Sequence, residues 1–338
     1  MKILQVYKKF NFQSGGVEKH IYNIYKSLNS NFKTTFVCLE KNNHYLNLDI
    51  KIFSFLNILE YKNYDIFHLH GARSFFVLIF FLIGKIQRKR IIYTPHCYYE
   101  SKDILRNTIK NIWDNLIESI FFKNCDCIIL LSDHWLEYAK KKKFNISNVK
   151  IVPNCVLLSD FSIKQKLINK DTIDILSLSR VDKIKRIPDI IESIKNLDKK
   201  FILHIVGDGS ELQFYKNKYS NYKNIIFYGN ISKKKLSDLS ENIDLFIIAS
   251  EKEGMPTTVI EMLLQGIPII ASKIPGNLSI LGEDYKYLFE VGDIAKLSSL
   301  IININLGYDK DLYNKTKLMF TWEKRIKEIE NIYLSCTT

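Results

Sequence analysis

No apolar run in this chain is long enough to cross a bilayer. The longest, residues 75–83, has nine residues, about half of the ~20 that a spanning helix requires. The opening Met1-Lys2-Ile3-Leu4-Gln5-Val6 runs straight into a polar loop and is too short for the apolar region of a secretory signal. Cysteine is sparse: six residues lie scattered at 38, 97, 125, 127, 155 and 336, with no disulfide framework. Cys125-x-Cys127 is too close for an ordinary zinc pair and opens a strand-like run, so both are expected to be packed thiols. A protein of the reduced cytoplasm is the natural reading. Paired zinc ligands and an aromatic RNA-binding consensus are missing, which argues against a nucleic-acid partner. No repeat of 20–50 residues and no low-complexity tract is visible. Two loops carry paired glycines, but neither completes the dinucleotide fingerprint. No such series follows Gly15-Gly16, and Leu212 stands where the third glycine would follow Gly207-x-Gly209. A dinucleotide-dependent oxidoreductase is thereby disfavoured, and NAD binding by the purified chain would test it.

What is present fits a two-domain globular protein. At 338 residues each half can bury its own core, and 46% hydrophobic with 25% charged residues is ordinary for a soluble chain. Lys+Arg (49) exceed Asp+Glu (36) by 13. A phosphorylated small ligand, an anionic membrane or nucleic acid could each account for that excess. The many Lys, Asn and Ile residues also fit the coding bias of an AT-rich genome, which raises Lys without selection for charge.

Strand and helix patterns alternate along the whole chain, as expected of parallel sheets with crossover helices. Strands are expected at 2–7, 34–39, 50–53, 65–70, 90–94, 127–131 and 150–152, with helices at 17–28, 75–83 and 109–122. The last of these carries Ile109, Trp113, Leu116, Ile117 and Ile120 on one stripe. Residues 154–172 are polar and weakly periodic and read as a linker. A second series follows, with strands at 174–179, 201–206, 224–228, 244–249 and 268–271. Residues 322–334 are amphipathic, with Ile326, Ile329, Ile332 and Tyr333 as the apolar face.

The most informative stretch is Ser-Glu-Lys-Glu-Gly-Met-Pro-Thr-Thr-Val-Ile-Glu-Met-Leu-Leu-Gln-Gly-Ile-Pro-Ile-Ile-Ala-Ser, residues 250–272. Glu253 should sit in the loop after a strand's carboxyl end, where open α/β sheets bind ligands. Glu261 lies inside the following helix, whose spacing is set by Val259, Ile260, Leu263 and Leu264 and which Gly266 closes. The free amides at that helix's start can hold an anion.

Two glutamates at this spacing, flanked by Gly-Met-Pro and Gly-Ile-Pro-Ile-Ile-Ala-Ser, resemble the donor-binding signature of glycosyltransferase family 4. That family comprises retaining enzymes of the GT-B fold: two Rossmann-like, doubly wound α/β domains facing a cleft. The resemblance implies an acceptor-binding domain over 1–160, a nucleotide-sugar domain over 161–320 and a helix at 321–338 returning to the first domain. The start Thr321-Trp322-Glu323 resembles that returning element. Gln13-Ser14-Gly15-Gly16-Val17-Glu18 resembles the family's Gly-Gly-x-Glu loop at the donor phosphates and acceptor, which assigns Gly15 and Gly16 to donor binding. From the residues alone, a plain tight turn explains them equally.

Arg180 and Lys185, at the end of an expected strand, match the family's pair of cations on the pyrophosphate. A forked guanidinium beside a point-charge ammonium suits a diphosphate leaving group. Relatives usually continue Lys-Gly where this chain has Lys185-Arg186, so the local turn is expected to differ, and Lys183 competes for the role. His96, in Tyr-Thr-Pro-His-Cys, matches the family's Thr-x-His beside the transferred sugar; read alone, it is a structural histidine. His68 and His70 resemble the family's His-x-His element, with His70 as a wall residue and no metal site. Pro153-Asn154-Cys155-Val156-Leu157 stands where relatives usually have Asn-Gly-x-Asp, so the hinge-side turn is altered.

By the same resemblance Glu253 orients the sugar hydroxyls and Glu261 accepts from the ribose. Gly254, Met255, Pro256, Thr257 and Thr258 bring backbone amides to the phosphates. The family works without a metal. The only Asp-x-Asp, Asp309-Lys310-Asp311, lies in a helix-like polar tail, so no cofactor is expected. The implied reaction moves a sugar, most simply from a UDP-sugar, to a lipid-linked or saccharide acceptor in bacterial surface polysaccharide or lipopolysaccharide synthesis. A catalytically silent sugar-nucleotide or membrane adaptor of the same fold is the rival. Residues 75–83 are followed by Lys85, Arg88, Lys89 and Arg90, and 140–143 form a second basic run, which allows docking on an anionic membrane at its cytoplasmic face. A buried crossover helix with a solvated basic edge explains the same residues.

Overall fold

The computed structural model describes residues 1–10, 16–41, 48–100, 103–163, 171–198 and 200–336. The chain forms two compact units, Met1–Leu157 with Met319–Thr338 (unit 1) and Leu158–Leu318 (unit 2).

Unit 1 is built on a parallel sheet of β1 (Lys2–Val6), β2 (Lys33–Cys38), β3 (Ile50–Ile52), β4 (Ile66–His70), β5 (Arg90–Thr94), β6 (Cys127–Leu130) and β7 (Val149–Ile151). Their order is β3-β2-β1-β4-β5-β6-β7. The strand readings above fall within two residues of these bounds. Buried on both faces, such strands need near-continuous apolar runs, which Phe-Val-Cys and Ile-Ile-Leu supply. On one face Ile3, Ile66, Ile92 and Ile129 pack against Ile24 of α1 (Gly16–Ser27) and against Trp322, Ile329 and Tyr333 of the last helix, Trp322–Ser335. That helix is tied in by Val156 N–H to Phe320 O and Trp322 N–H to Val156 O, so it returns to unit 1 as the resemblance implied. Cys127, Cys155 and Cys336 are free thiols of this core.

On the opposite face lie α2 (Phe75–Ile86) and a long helical stretch, α3 (Ile104–Trp113) and α4 (Ser119–Asn124). Phe80 stacks edge-on to Phe67, and Phe121 to Tyr93. Here the sequence reading needs correction. The stretch is not one regular helix over 109–122: a π turn, Asp114–Glu118, separates α3 from α4. Nor is the apolar stripe buried, since Ile109, Leu116 and Ile120 are exposed and Trp113 and Ile117 only half-buried. The fully buried side chains of the π turn are acids. Asp114 takes a forked pair of bonds from Arg73 (2.8 and 2.7 Å), with Tyr138 Oη of α5 (Asp133–Lys141) at 2.9 Å and Lys142 Nζ at 3.3 Å. Glu118 accepts from Arg73 N–H, Trp113 Nε1, Tyr93 Oη and Tyr98 Oη. Buried carboxylates persist only when so satisfied, and this network decides which side of the helix faces the sheet.

Unit 2 repeats the architecture with β8 (Ile173–Leu178), β9 (Phe201–Val206), β10 (Ile225–Gly229), β11 (Leu245–Ile248), β12 (Ile269–Ser272) and β13 (Leu288–Phe289). The order is β10-β9-β8-β11-β12-β13, all parallel. Ile175, Leu203, Leu245 and Ile247 form its core with Ile187, Ile190, Ile191 and Ile194 of α6 (Ile187–Ile194). In both units the strand order reverses beside the first strand, at β1/β4 and at β8/β11. Doubly wound sheets bind ligands at the carboxyl ends of the strands flanking such a reversal.

Candidate active site

In unit 2 the two loops at that reversal are stitched together. Glu251 N–H, after β11, donates to Ile184 O, after β8, at 2.7 Å. Beside this bond Lys185 Nζ meets Glu253 Oε1 at 2.6 Å, with side chains 13% and 10% exposed. Ser250 Oγ donates to the same oxygen at 2.6 Å. Ser250 is held in turn, because Ser272 Oγ donates to its carbonyl at 2.7 Å and Asn277 Nδ2 donates to Ser272 O at 2.8 Å. Asn277 belongs to α8 (Pro275–Leu281), whose Gly276 presses on the loop. A Cβ there would lie 2.6 Å from Glu253 O and 2.8 Å from Glu253 Cβ. Ser250, Ser272, Gly276 and Asn277 were not singled out from the sequence. Their only signal is a Pro-Gly-Asn start to a helix that follows a strand.

Lys185, not the exposed Lys183, reaches the glutamate. Arg186 adopts φ 50°, ψ 39°, the left-handed conformation that glycine favours. Its guanidinium grips Asp189 at 2.6 and 3.1 Å, which offsets part of the ~1–2 kcal/mol that such a backbone costs. Arg180, at the end of β8, is 61% exposed and pairs with Asp182 at 2.9 Å. An exposed pair of this kind holds by ~0–1 kcal/mol, so a dianion can draw the guanidinium away. Helix α7 (Thr257–Leu264) starts at Pro256, which supplies no side-chain cap. The amides of its first turn, Thr257 and Thr258, thus open an uncapped positive end. Met255 and Glu261 are buried, with Glu261 inside α7 as expected, and Gly254 is half-buried in the loop.

In unit 1 Gly15 lies outside the described residues. Gly16 opens α1, is exposed, and has no atom within 4 Å of where a Cβ would stand. Beyond β5, His96 sits at φ 65° and is buried. It joins a hydrogen-bonded chain whose proton positions can be derived from Gln5 to His96. Gln5 Nε2, which can only donate, contacts Tyr333 Oη at 3.0 Å. The Tyr333 hydroxyl also meets His68 Nδ1 (2.9 Å), and His68 Nε2 meets Thr94 Oγ1 (2.8 Å). Gln5 Oε1 accepts from His70 Nε2–H at 2.6 Å, so His70 Nδ1 accepts from His96 Nε2–H at 3.1 Å. The lone pair of His96 is left on Nδ1.

Burial pushes all four histidines of this cluster down. His20 falls to about 4 and His68 to about 3, while His70 and His96 lie well below the ordinary value, helped by their mutual repulsion. His96 is thus neutral at pH 7, a hydrogen-bonding group rather than a cation. A second result follows by linkage. The unfolded chain protonates these rings near 6.5 and the folded one only at the lowered values. Stability is therefore complete above about pH 6.5 and is lost as pH falls towards 4, by about 1.4 kcal/mol per pH unit for each ring. Denaturant midpoints followed by tryptophan emission should fall steadily across that window. A flat profile would mean that the rings are hydrated or charged in the folded protein.

Fold and site together define a GT-B glycosyltransferase. A family model described as glycosyl transferases group 1 matches residues 159–330, and one described as Glycosyltransferase Family 4 matches residues 14–159. The chain belongs to glycosyltransferase family 4. It is 28% identical over 240 residues to an uncharacterized 41.2 kDa protein in the cps region of Klebsiella pneumoniae, covering 68% of this chain and 65% of that one. It is 24% identical over 315 residues to an Escherichia coli UDP-Gal:alpha-D-GlcNAc-diphosphoundecaprenol alpha-1,3-galactosyltransferase, covering 84% and 78%. Anabaena HepE, solved in complex with UDP and glucose, superposes with a TM-score of 0.81 at 15% identity over 99% of this chain and all of the other.

Proposed function

We propose that the protein is a retaining glycosyltransferase that moves a hexose from a UDP-sugar to a hydroxyl of a lipid-linked acceptor in surface polysaccharide synthesis. The observation that carries the reading is the Lys185–Glu253 pair at the β8/β11 strand reversal, braced by Ser250 and closed over by Gly276. The names of the relatives support the donor and the acceptor: UDP-Gal and a diphosphoundecaprenol for the E. coli enzyme, UDP with glucose for HepE.

In this reading the bond from the sugar's anomeric carbon to the diphosphate oxygen breaks and the acceptor oxygen bonds to that carbon on the same face. The acceptor proton passes to the departing phosphate oxygen. Negative charge grows on the diphosphate, where Arg180, Lys185 and the first amides of α7 stabilise it; each such preorganised donor is worth roughly 3–4 kcal/mol. Glu253 holds sugar hydroxyls and Glu261 the ribose, and in unit 1 neutral His96 can accept a hydrogen bond at Nδ1 without adding charge. Charge neutralisation is assigned to the protein's own groups, without a metal.

A thermal-shift series with UDP-, GDP- and ADP-sugars tests the donor. The matching one should stabilise the chain by about 2.7 kcal/mol at a hundred times its Kd. Stabilisation by a GDP- or ADP-sugar alone would overturn the UDP assignment, and an inverted anomeric product by NMR the retaining one. Glu261→Gln should weaken donor affinity about tenfold, the value of one charge-assisted hydrogen bond. Unchanged affinity by calorimetry would leave Glu261 a residue of the helix only.

A further inference from the structure

Helix α3 is inside out. None of its side chains is buried, and the groups it turns towards the sheet are polar or lead into the acids Asp114 and Glu118. Lys110 Nζ reaches back to Tyr99 O at 2.7 Å. Its apolar residues face outward at helical spacing: Leu105, Ile109 and Ile112, continued by Leu116 and Ile120, with Ile104 alongside; Ile104 and Leu105 are 85% and 70% exposed. The orientation is built in, because rotating the helix to bury the stripe would pull two carboxylates away from Arg73, Tyr93, Tyr98, Tyr138 and Lys142.

The face does not stop at α3. Phe75, at the start of α2, packs edge-on to Trp113 at 4.6 Å and is itself exposed. Phe75, Leu82 and Ile86 recur at helical spacing on the outer side of α2, while Phe76, Val77, Phe80, Phe81 and Ile83 are buried beneath. On the far side of α2, Phe53 bridges Phe76 to Phe55, and Phe55, Leu56 and Leu59 are again exposed. Three neighbouring elements thus present large apolar side chains to the outside on one face of unit 1. Monomeric soluble proteins rarely expose contiguous apolar patches of such extent.

The charge beside this face is mainly basic: Glu60 and Asp103 are exposed acids of the elements that carry it, and Arg90 is paired with Asp126 at 2.9 Å. From Ile66 to Tyr99 the chain contains no Asp or Glu, but Lys85, Arg88, Lys89 and Arg90 gather at the end of α2. Lys85 Nζ contacts Asn124 O, which brings the cluster to the end of α4 beside exposed Lys123. Apolar side chains with basic residues at their edge match an interface of acyl chains and anionic headgroups. We propose that this face of unit 1 beds into an anionic bilayer, with α3 lying in the interface and the α2 cluster on the headgroups. The assignment rests on the lipid-linked acceptor for its purpose, but vesicle binding needs neither donor nor turnover. It also differs from the sequence expectation in placing α3, rather than residues 75–83 alone, at the lipid.

The test is co-sedimentation of the full chain with phosphatidylcholine vesicles with and without phosphatidylglycerol. Binding should require phosphatidylglycerol and weaken as salt rises. The pair Leu105→Glu with Ile109→Glu, and separately Lys85→Glu with Arg88→Glu, should each lower the partition at least about tenfold. Phe214→Glu, an exposed aromatic of unit 2, should not. If the glutamate pair impairs folding, Leu105→Gln with Ile109→Gln replaces it, and an unchanged UDP-sugar thermal shift confirms an intact site. Equal binding to both vesicle types, or full binding by either pair, overturns the proposal. So does a chain that ignores vesicles but changes from dimer to monomer in the α3 variants, which would make the face a contact between two copies. A failed thermal shift with intact vesicle binding would sink the donor reading and leave this one standing.

Discussion

Gly207→Ala should lose the folded state of unit 2 under conditions where the parent is stable. Gly207 has φ 131°, and a Cβ there would stand 1.9 Å from Ser179 O. Ser179 cannot retreat easily, because its N–H is bonded to Val206 O, and Val181 N–H to Asp208 O. The neighbouring Gly209 meets the same loop, its Cβ position lying 2.6 Å from Val181 O. The paired glycines therefore do not serve as a truncated dinucleotide fingerprint. They let the β9 loop lie directly against the β8 loop that carries Arg180. Backbone strain and displacement together should cost on the order of 4 kcal/mol, a large part of the 5–15 kcal/mol that holds a typical domain. All three tryptophans, Trp113, Trp135 and Trp322, lie in unit 1. Unfolding of Gly207→Ala should therefore appear early in far-UV circular dichroism and not in tryptophan emission. Gly16→Ala is the control, since its Cβ meets nothing and its stability should be unchanged. Coincident, parent-like transitions for Gly207→Ala would show that the β8 loop yields.

Lys185→Ala should reduce turnover about 10²–10³-fold, the usual effect of removing one preorganised donor from a developing anion. Glu253→Gln should fall comparably, since it keeps the shape but removes the charge that places Lys185. In the folded protein the two act as one unit, so the double variant should cost far less than the product of the singles. Lys185→Ala also leaves a nearly buried carboxylate with Ser250 as its remaining short donor, a loss of about 1–3 kcal/mol visible as a lower melting temperature. Lys183→Ala, on an exposed side chain, should stay near parent activity. A larger loss for Lys183→Ala than for Lys185→Ala would mean that the loop rearranges around the donor.

The strand series and the Glu253–Glu261 segment were legible because each depends on local pattern. Apolar runs of strand length, a polar turn and a helix at 3.6-residue spacing admit few readings in an alternating α/β chain. Position 186 was not legible because residue type does not announce a left-handed backbone at an arginine, which the ion pair with Asp189 helps to hold. The brace behind Glu253 was invisible for another reason. Ser250, Ser272 and Asn277 meet across two strands and a helix, and no spacing encodes that. The α3 stripe shows the limit most sharply. Periodicity marked an apolar side, but Asp114 and Glu118 recur at the same helical interval, and only Arg73, Tyr93 and Tyr98 from elsewhere decide which side turns inward.

Unit 1 is interrupted in sequence by the whole of unit 2, and the last helix that completes its core comes after it. On the ribosome, the Ile3, Ile66 and Ile92 face must wait for Trp322 and Tyr333 to emerge. From Leu157 to Tyr333 is 333 − 157 = 176 residues, or roughly 10–35 s at typical synthesis rates. Gln5 and His68 lack their Tyr333 hydroxyl for the same interval. The nascent order of assembly is thus the reverse of the written one: the second unit can close around its own core first, while the first stays open until Trp322 and Tyr333 have been made.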